Sequence, residues 1–116
     1  MTTDNVSQHP FHFTVEQGKN SPLSPGLLSA QLFSHGSMKL RYYAPKKVDK
    51  QTPHDQDEVY IIISGQGWFQ NGDESHSFSP GDVIFAPTGQ EHRFFDFSDD
   101  FATWVIFYGP AGGEEA

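Results

Sequence analysis

Turn-forming residues recur along this chain, and no long segment between them has helical periodicity. Ser24-Pro25-Gly26, His35-Gly36, Ala44-Pro45, Gly65-Gln66-Gly67, Asn71-Gly72, Ser79-Pro80-Gly81 and Pro87-Thr88-Gly89 punctuate the sequence. Short apolar and aromatic runs lie between them. Short strands bounded by such turns belong to sandwiches and barrels. Strands are expected near Phe11–Glu16, Leu28–Ser34, Met38–Ala44, Glu58–Ser64, Trp68–Gln70, Ser75–Phe78, Asp82–Ala86, His92–Phe97 and Phe101–Tyr108. Asn71-Gly72 reads as a hairpin turn, because the left-handed backbone of tight hairpins favours Asn and Gly. A helical turn is admitted only around Pro25–Gln31.

A chain of 116 residues suits one domain. Its 11 Phe, 4 Tyr and 2 Trp can supply the buried area that a small core needs. The expected organisation is a flexible start over residues 1–10, one barrel domain over 11–108, and a flexible acidic tail over 109–116. A net charge of −8 argues against nucleic acid and anionic membrane as partners, since both select basic surfaces. The chain has no cysteine, so disulfides and zinc–thiolate sites are excluded. The first residues lack the basic and apolar stretches of a signal peptide. The apolar run Val59–Ile63 is too short to span a bilayer. A cytoplasmic location is expected.

The chemistry concentrates in two places. Gly81 opens the apolar run Asp82–Ala86, Pro87 and Gly89 bend the chain, and His92 enters the next strand. Upstream, His54 and Glu58 lead into Val59–Ser64, which Gly65 closes. Side chains alternate faces along a strand, so Glu58 and Tyr60 share one face, and His92, Phe94 and Asp96 share another. If both faces point inward, His54, Glu58 and His92 meet. Two imidazoles and a carboxylate suit Fe, Mn, Ni, Co or Zn as divalent ions and leave coordination positions open. The plainer readings are a histidine that satisfies a turn, a solvated loop histidine, and a carboxylate at a strand edge.

These residues resemble the cupin superfamily. Its second motif is glycine, five residues, proline, one residue, glycine, two residues and histidine, which fits Gly81 through His92; Asp96 stands where asparagine is usual. Its first motif has two histidines one residue apart, then a glutamate and a glycine. His54, Glu58 and Gly65 fit the second histidine, the glutamate and the glycine, but Thr52 stands at the first histidine and Lys46 at the opening glycine. The resemblance covers roughly Thr52 to Phe97. It implies an all-β fold, a double-stranded β-helix of the jelly-roll type, with a divalent transition metal in a small cavity.

Metal ligands are expected at His54, Glu58 and His92, with the Gln56 amide oxygen as a substitute for the missing histidine. Thr52, Tyr60, Phe94, Tyr42 and Trp104 are expected to line the pocket. Lys39 and Arg41 share a strand face, which fits either a solvated face or an anion site. Because cupins share no single reaction, two functions stay open. One is a metal-dependent enzyme, dioxygenase- or isomerase-like, acting on a small organic acid or enol. The other is a non-catalytic small-molecule-binding or sensor domain. The apolar strand Val59–Ile63 needs cover on both faces, so a homodimer is expected.

Overall fold

The strand that carries Glu58 explains most of the architecture. Asp57–Ser64 alternates a buried row, Glu58, Tyr60 and Ile62, with a half-buried row, Val59, Ile61 and Ile63. A strand apolar on both sides must be flanked by neighbours and packed on both faces. A computed structural model describes residues 11–23 and 27–115 and shows how this happens. In chain order the elements are α1 (Val15–Asn20), β1 (Ala30–His35), β2 (Met38–Tyr43), β3 (Asp57–Ser64), β4 (Gly67–Asn71), β5 (Glu74–Phe78), β6 (Val83–Ala86), β7 (His92–Phe95) and β8 (Ala102–Tyr108). One five-stranded sheet runs β1-β2-β8-β3-β6, and a three-stranded sheet runs β5-β4-β7. All strand pairs are antiparallel. The fold is all-β, as expected.

The core lies between the two sheets. Tyr60, Ile62, Val105 and Phe107 come from the larger sheet, and Phe69, Phe78 and Phe94 from the smaller. Phe94 is its centre: its ring lies 4.9 Å from Tyr60, 4.7 Å from Phe69 and 4.6 Å from Phe101. Tilted and edge-on aromatic pairs of this kind add to the burial of large apolar surface. Gly65 lets the chain turn beside Phe101. Its φ is +87°, and a Cβ there would stand 2.5 Å from the Phe101 Cα, so the closing glycine of the first motif is a backbone requirement.

Three local expectations are corrected. Phe11–Glu16 is not a strand. Thr14 caps a helix instead: its Oγ1 accepts from the Gln17 N–H at 3.1 Å, and its own N–H donates to Gln17 Oε1 at 2.7 Å. This reciprocal capping box overrides the alternation of Phe11, Phe13 and Val15. The strand from His92 ends at Phe95 rather than Phe97, because Asp96 adopts φ +50°, a conformation that Asp and Asn tolerate better than most residues. The hairpin loop after β4 is Gly72-Asp73, one residue later than Asn71-Gly72, since Asn71 still pairs with Glu74. Of the possible helical turn at Pro25–Gln31, Pro25 and Gly26 lie outside the described residues, and Ala30 and Gln31 already belong to β1. No helix among the described residues is long and apolar enough to cross a membrane.

Candidate metal centre

Antiparallel register sets the site. On the inner face of the larger sheet, Glu58 pairs with Ala86 on one side and Phe107 on the other. Its side chain points into the molecule and is only 1 % exposed. Across the core, β7 starts at His92, which is 2 % exposed and paired with Asn71. His54 comes from the loop before β3, not from an extension of that strand. Its backbone carbonyl accepts two hydrogen bonds from the Pro87-Thr88-Gly89 turn, from the Gly89 N–H at 3.0 Å and the Thr88 hydroxyl at 2.9 Å. The turn preceding His92 therefore also holds the loop that carries His54. Asp57 locks the same corner, accepting from the Thr88 N–H at 3.0 Å and the Glu114 N–H at 2.8 Å.

The three side chains converge. Nitrogen and oxygen donors of His54, Glu58 and His92 all lie within 4.8 Å of one another. His92 Nε2 is 2.8 Å from Glu58 Oε1, and His54 Nε2 is 4.0 Å from the same oxygen. Both Glu58 oxygens and His92 Nε2 are buried without a hydrogen-bond partner. His92 Nδ1 lies 2.8 Å from the Gln90 carbonyl. A carbonyl only accepts, so Nδ1 carries the hydrogen and Nε2 presents a lone pair to Glu58. Two unprotonated acceptors facing each other in a buried site repel unless a proton or a cation lies between them. Burial alone lowers the His92 pKa, but the Glu58 carboxylate and the Gln90 carbonyl outweigh it and raise the imidazole above its ordinary value.

The donor set fits a divalent transition ion. Two ligand atoms bound at about 2.1 Å can be at most about 4.2 Å apart. A small movement of the half-exposed His54 brings the set within that limit, while Glu58 and His92 already stand as neighbouring ligands do. The carbonyl of Gln90 fixes the tautomer and orientation of His92, as an outer partner would for a ligating histidine.

The remaining predicted site residues divide: Thr52 and Gln56 border the cavity, and Tyr60, Phe94, Tyr42 and Trp104 do not. The Gln56 amide oxygen accepts from Lys39 Nζ at 3.0 Å, and its amide nitrogen donates to the carbonyls of Ser37 and Gly109, both at 2.9 Å. It is committed there rather than to the metal group. Tyr60 and Phe94 are core residues packed on each other, and Tyr60 also stands beside His92. Burial, and then the Glu58 carboxylate, push the Tyr60 phenol far up. It stays a donor, and bonds Gln51 Oε1 at 2.8 Å. Tyr42 and Trp104 pair with each other on the opposite face of the sheet from Glu58, with rings 5.9 Å apart. Tyr42 there packs against Gly18 of α1, where a Cβ would approach its ring to 2.5 Å. Thr52 does line the cavity.

That cavity has a volume of about 330 Å³ and opens beside His54 and Glu58. Its other walls are Lys39, Arg41 and Tyr43 of β2 and Val105 and Phe107 of β8. The Phe107 ring stands edge-on to His54 at 4.8 Å. Sequence reading missed a buried carboxylate behind this wall. Asp49, 2 % exposed, accepts from the Tyr43 hydroxyl at 2.6 Å, the Gln51 N–H at 3.0 Å, Gln51 Nε2 at 2.7 Å and the Phe94 N–H at 2.8 Å. It ties the 49–52 loop to β7 and places Gln51 against Tyr60. No spacing marks Asp49 in the sequence, where it stands in a polar run between Lys47 and Gln56.

Residues 40–108 match the family described as the cupin domain. The chain belongs to the cupin family. The double-stranded β-helix is also the fold of a conserved protein of Klebsiella pneumoniae, to which this cupin is similar with a TM-score of 0.67 at 18 % identity, over 88 % of this chain and 93 % of that one. Curated proteins are similar in sequence over part of the chain, two of them as follows. An uncharacterised protein of Streptomyces coelicolor is 39 % identical over 62 residues, 53 % of this chain and 59 % of its own length. An acireductone dioxygenase of Leishmania infantum is 42 % identical over 60 residues, 47 % of this chain but only 17 % of that protein.

Proposed function

We propose that this cupin is a metal-dependent enzyme acting on a small oxygen-donor molecule, an organic acid or an enol, by dioxygenase- or isomerase-like chemistry. The observation that carries the reading is the buried, unpartnered set of Glu58 oxygens and His92 Nε2, with His54 beside it at a cavity wall. Nothing in a closed core stabilises such a set except a cation or a proton. A divalent ion held by these residues would supply a Lewis acid able to polarise the oxygen donors of a substrate. His54, Glu58 and His92 would bind it, Gln90 would orient His92, and the rings of Tyr60, Phe69 and Phe107 would keep water from its inner side. The local similarity to an acireductone dioxygenase supports oxygen chemistry on an enol-type substrate.

A non-catalytic binding domain is the second reading. Thr52 at a usual ligand position, with Gln56 engaged by Lys39, favours it by leaving three protein donors where the family pattern offers a fourth. The deciding experiment is reconstitution with Fe, Mn, Ni, Co or Zn, followed by elemental analysis and by oxygen uptake or product formation with keto acids and enols. Bound metal with turnover that disappears in Glu58→Ala supports the enzyme. Bound metal with ligand stabilisation and no turnover in any metal form supports the binding domain. Protein that stays metal-free through reconstitution removes the metal reading. The working unit we propose is a homodimer joined through the outer face of the larger sheet.

A further inference from the structure

Three cations line the cavity beside Glu58 although the chain is acidic, and the carboxylates of its lining are Asp55 and Glu58. Lys39, Arg41 and Lys50, three of the seven Lys and Arg in a chain of net charge −8, line it. None of the three forms an ion pair among the described residues, where the ion pairs present are all histidine–glutamate contacts. Lys39 and Arg41 are half-buried, and their partners are neutral. Lys39 Nζ donates to the Gln56 amide oxygen at 3.0 Å, and Arg41 donates to the carbonyl and hydroxyl of Ser29 at 3.2 and 3.3 Å. These bonds hold both side chains in place without neutralising them.

Register puts the two cations at a defined remove from the metal group. Lys39 and Glu58 both pair with Phe107, from opposite sides, and Arg41 and Tyr60 both pair with Val105. Lys39 thus stands two strand spacings from Glu58, roughly 10 Å between backbones, with the Phe107 and Val105 side chains between. Read from the metal group outward, the wall is two imidazoles and a carboxylate, an apolar strip, and then a lysine and an arginine. Half-buried cations that form no ion pair are stabilised when an anion completes them.

We infer that the substrate of this cupin carries two ends: a chelating oxygen group for the metal centre, on which this inference rests, and a terminal carboxylate held by Lys39 and Arg41. A short apolar chain of a few carbons would lie along Phe107 and Val105. The planar guanidinium of Arg41 suits a carboxylate, with Lys39 as a point charge beside it.

The test compares 2-oxoglutarate with 2-oxopentanoate, which share the keto-acid end and chain length and differ in the terminal carboxylate. Each is titrated calorimetrically into manganese-loaded and into metal-free protein. The expected result is tighter binding of 2-oxoglutarate by about tenfold or more, a ratio that shrinks as salt is raised. The ratio should collapse in the double variant Lys39→Met with Arg41→Met, while the manganese content of that variant stays unchanged. If this pair of changes prevents folding, Lys39→Gln and Arg41→Gln made singly should each reduce the ratio. The metal reading is scored separately, by whether 2-oxopentanoate binds more tightly with manganese than without. Preference for 2-oxoglutarate in metal-free protein supports the carboxylate site even if that comparison fails. Equal affinities for the two keto acids, a preference that survives the double variant, or no binding of either in the millimolar range would overturn the inference.

Discussion

At the scale of single residues, Glu58 sets the energetics of the site. Its two oxygens are buried without a bonded partner, and an unsatisfied buried group costs about 1–3 kcal/mol, more when charged. Added divalent metal should therefore raise the melting temperature of the native protein, because the ion binds only the folded state. Glu58→Gln should abolish that rise and, in metal-free protein, should melt no lower than the native chain. A calorimetric scan of both proteins with and without metal checks this. His92→Ala removes a donor and should lower metal content sharply on elemental analysis. Asp49 is the structural counterpart. It accepts four hydrogen bonds, and Asp49→Ala leaves buried donors of Tyr43, Gln51 and Phe94 unpaired. The expected loss is about 3 kcal/mol or more, read from the denaturant midpoint.

At the scale of elements, the Pro87-Thr88-Gly89 turn joins the two motifs. It precedes β7, which bears His92, and it grips the loop that bears His54 through the His54 carbonyl. Thr88→Val keeps the shape of the side chain and removes one of those bonds. Loss of such outer support typically weakens metal affinity by about 10- to 100-fold. Competition with a chromophoric chelator should show this drop, with the overall fold unchanged by circular dichroism. The helix α1 is a local device by contrast. Thr14→Ala removes its cap and should cost about 1 kcal/mol, with no effect on metal content.

For the whole molecule, assembly turns on the outer face of the larger sheet. Val59, Ile61, Trp104 and Ile106 are half-buried there, and on the edge strand Val83 is 66 % and Phe85 48 % exposed. Helix α1 packs on Tyr42 at the β2 end of this face. Contiguous apolar surface of this kind marks interaction sites. Light scattering of the native protein should give a dimer mass, and Ile61→Asp should shift it to monomer or cause aggregation. A monodisperse monomer of the native chain at micromolar concentration counts against the homodimer.

Much of this was legible locally. The identity of the three donors follows from residues close in sequence to glycine and proline turns, because turn chemistry and strand alternation act over a few residues. Met38–Tyr43, Asp57–Ser64 and Ala102–Tyr108 lie within a residue of the strands read from the sequence. The cavity wall was not legible, because β2 and β8 meet only through a pairing that spans most of the chain, with Lys39 opposite Phe107. Parity within that pairing decides which row faces inward. Lys39, Arg41 and Tyr43 turn toward Glu58, and Tyr42 with Trp104 turns away; a shift of one residue would have exchanged them. The burial of Asp49 and the capture of Gln56 by Lys39 likewise depend on a loop folding back onto strands distant in sequence. The sequence by itself determined which residues form the candidate metal group and the order of the strands around them. Only the tertiary structure decided what surrounds those atoms, because long-range register, and not local propensity, selects the face that each wall residue shows.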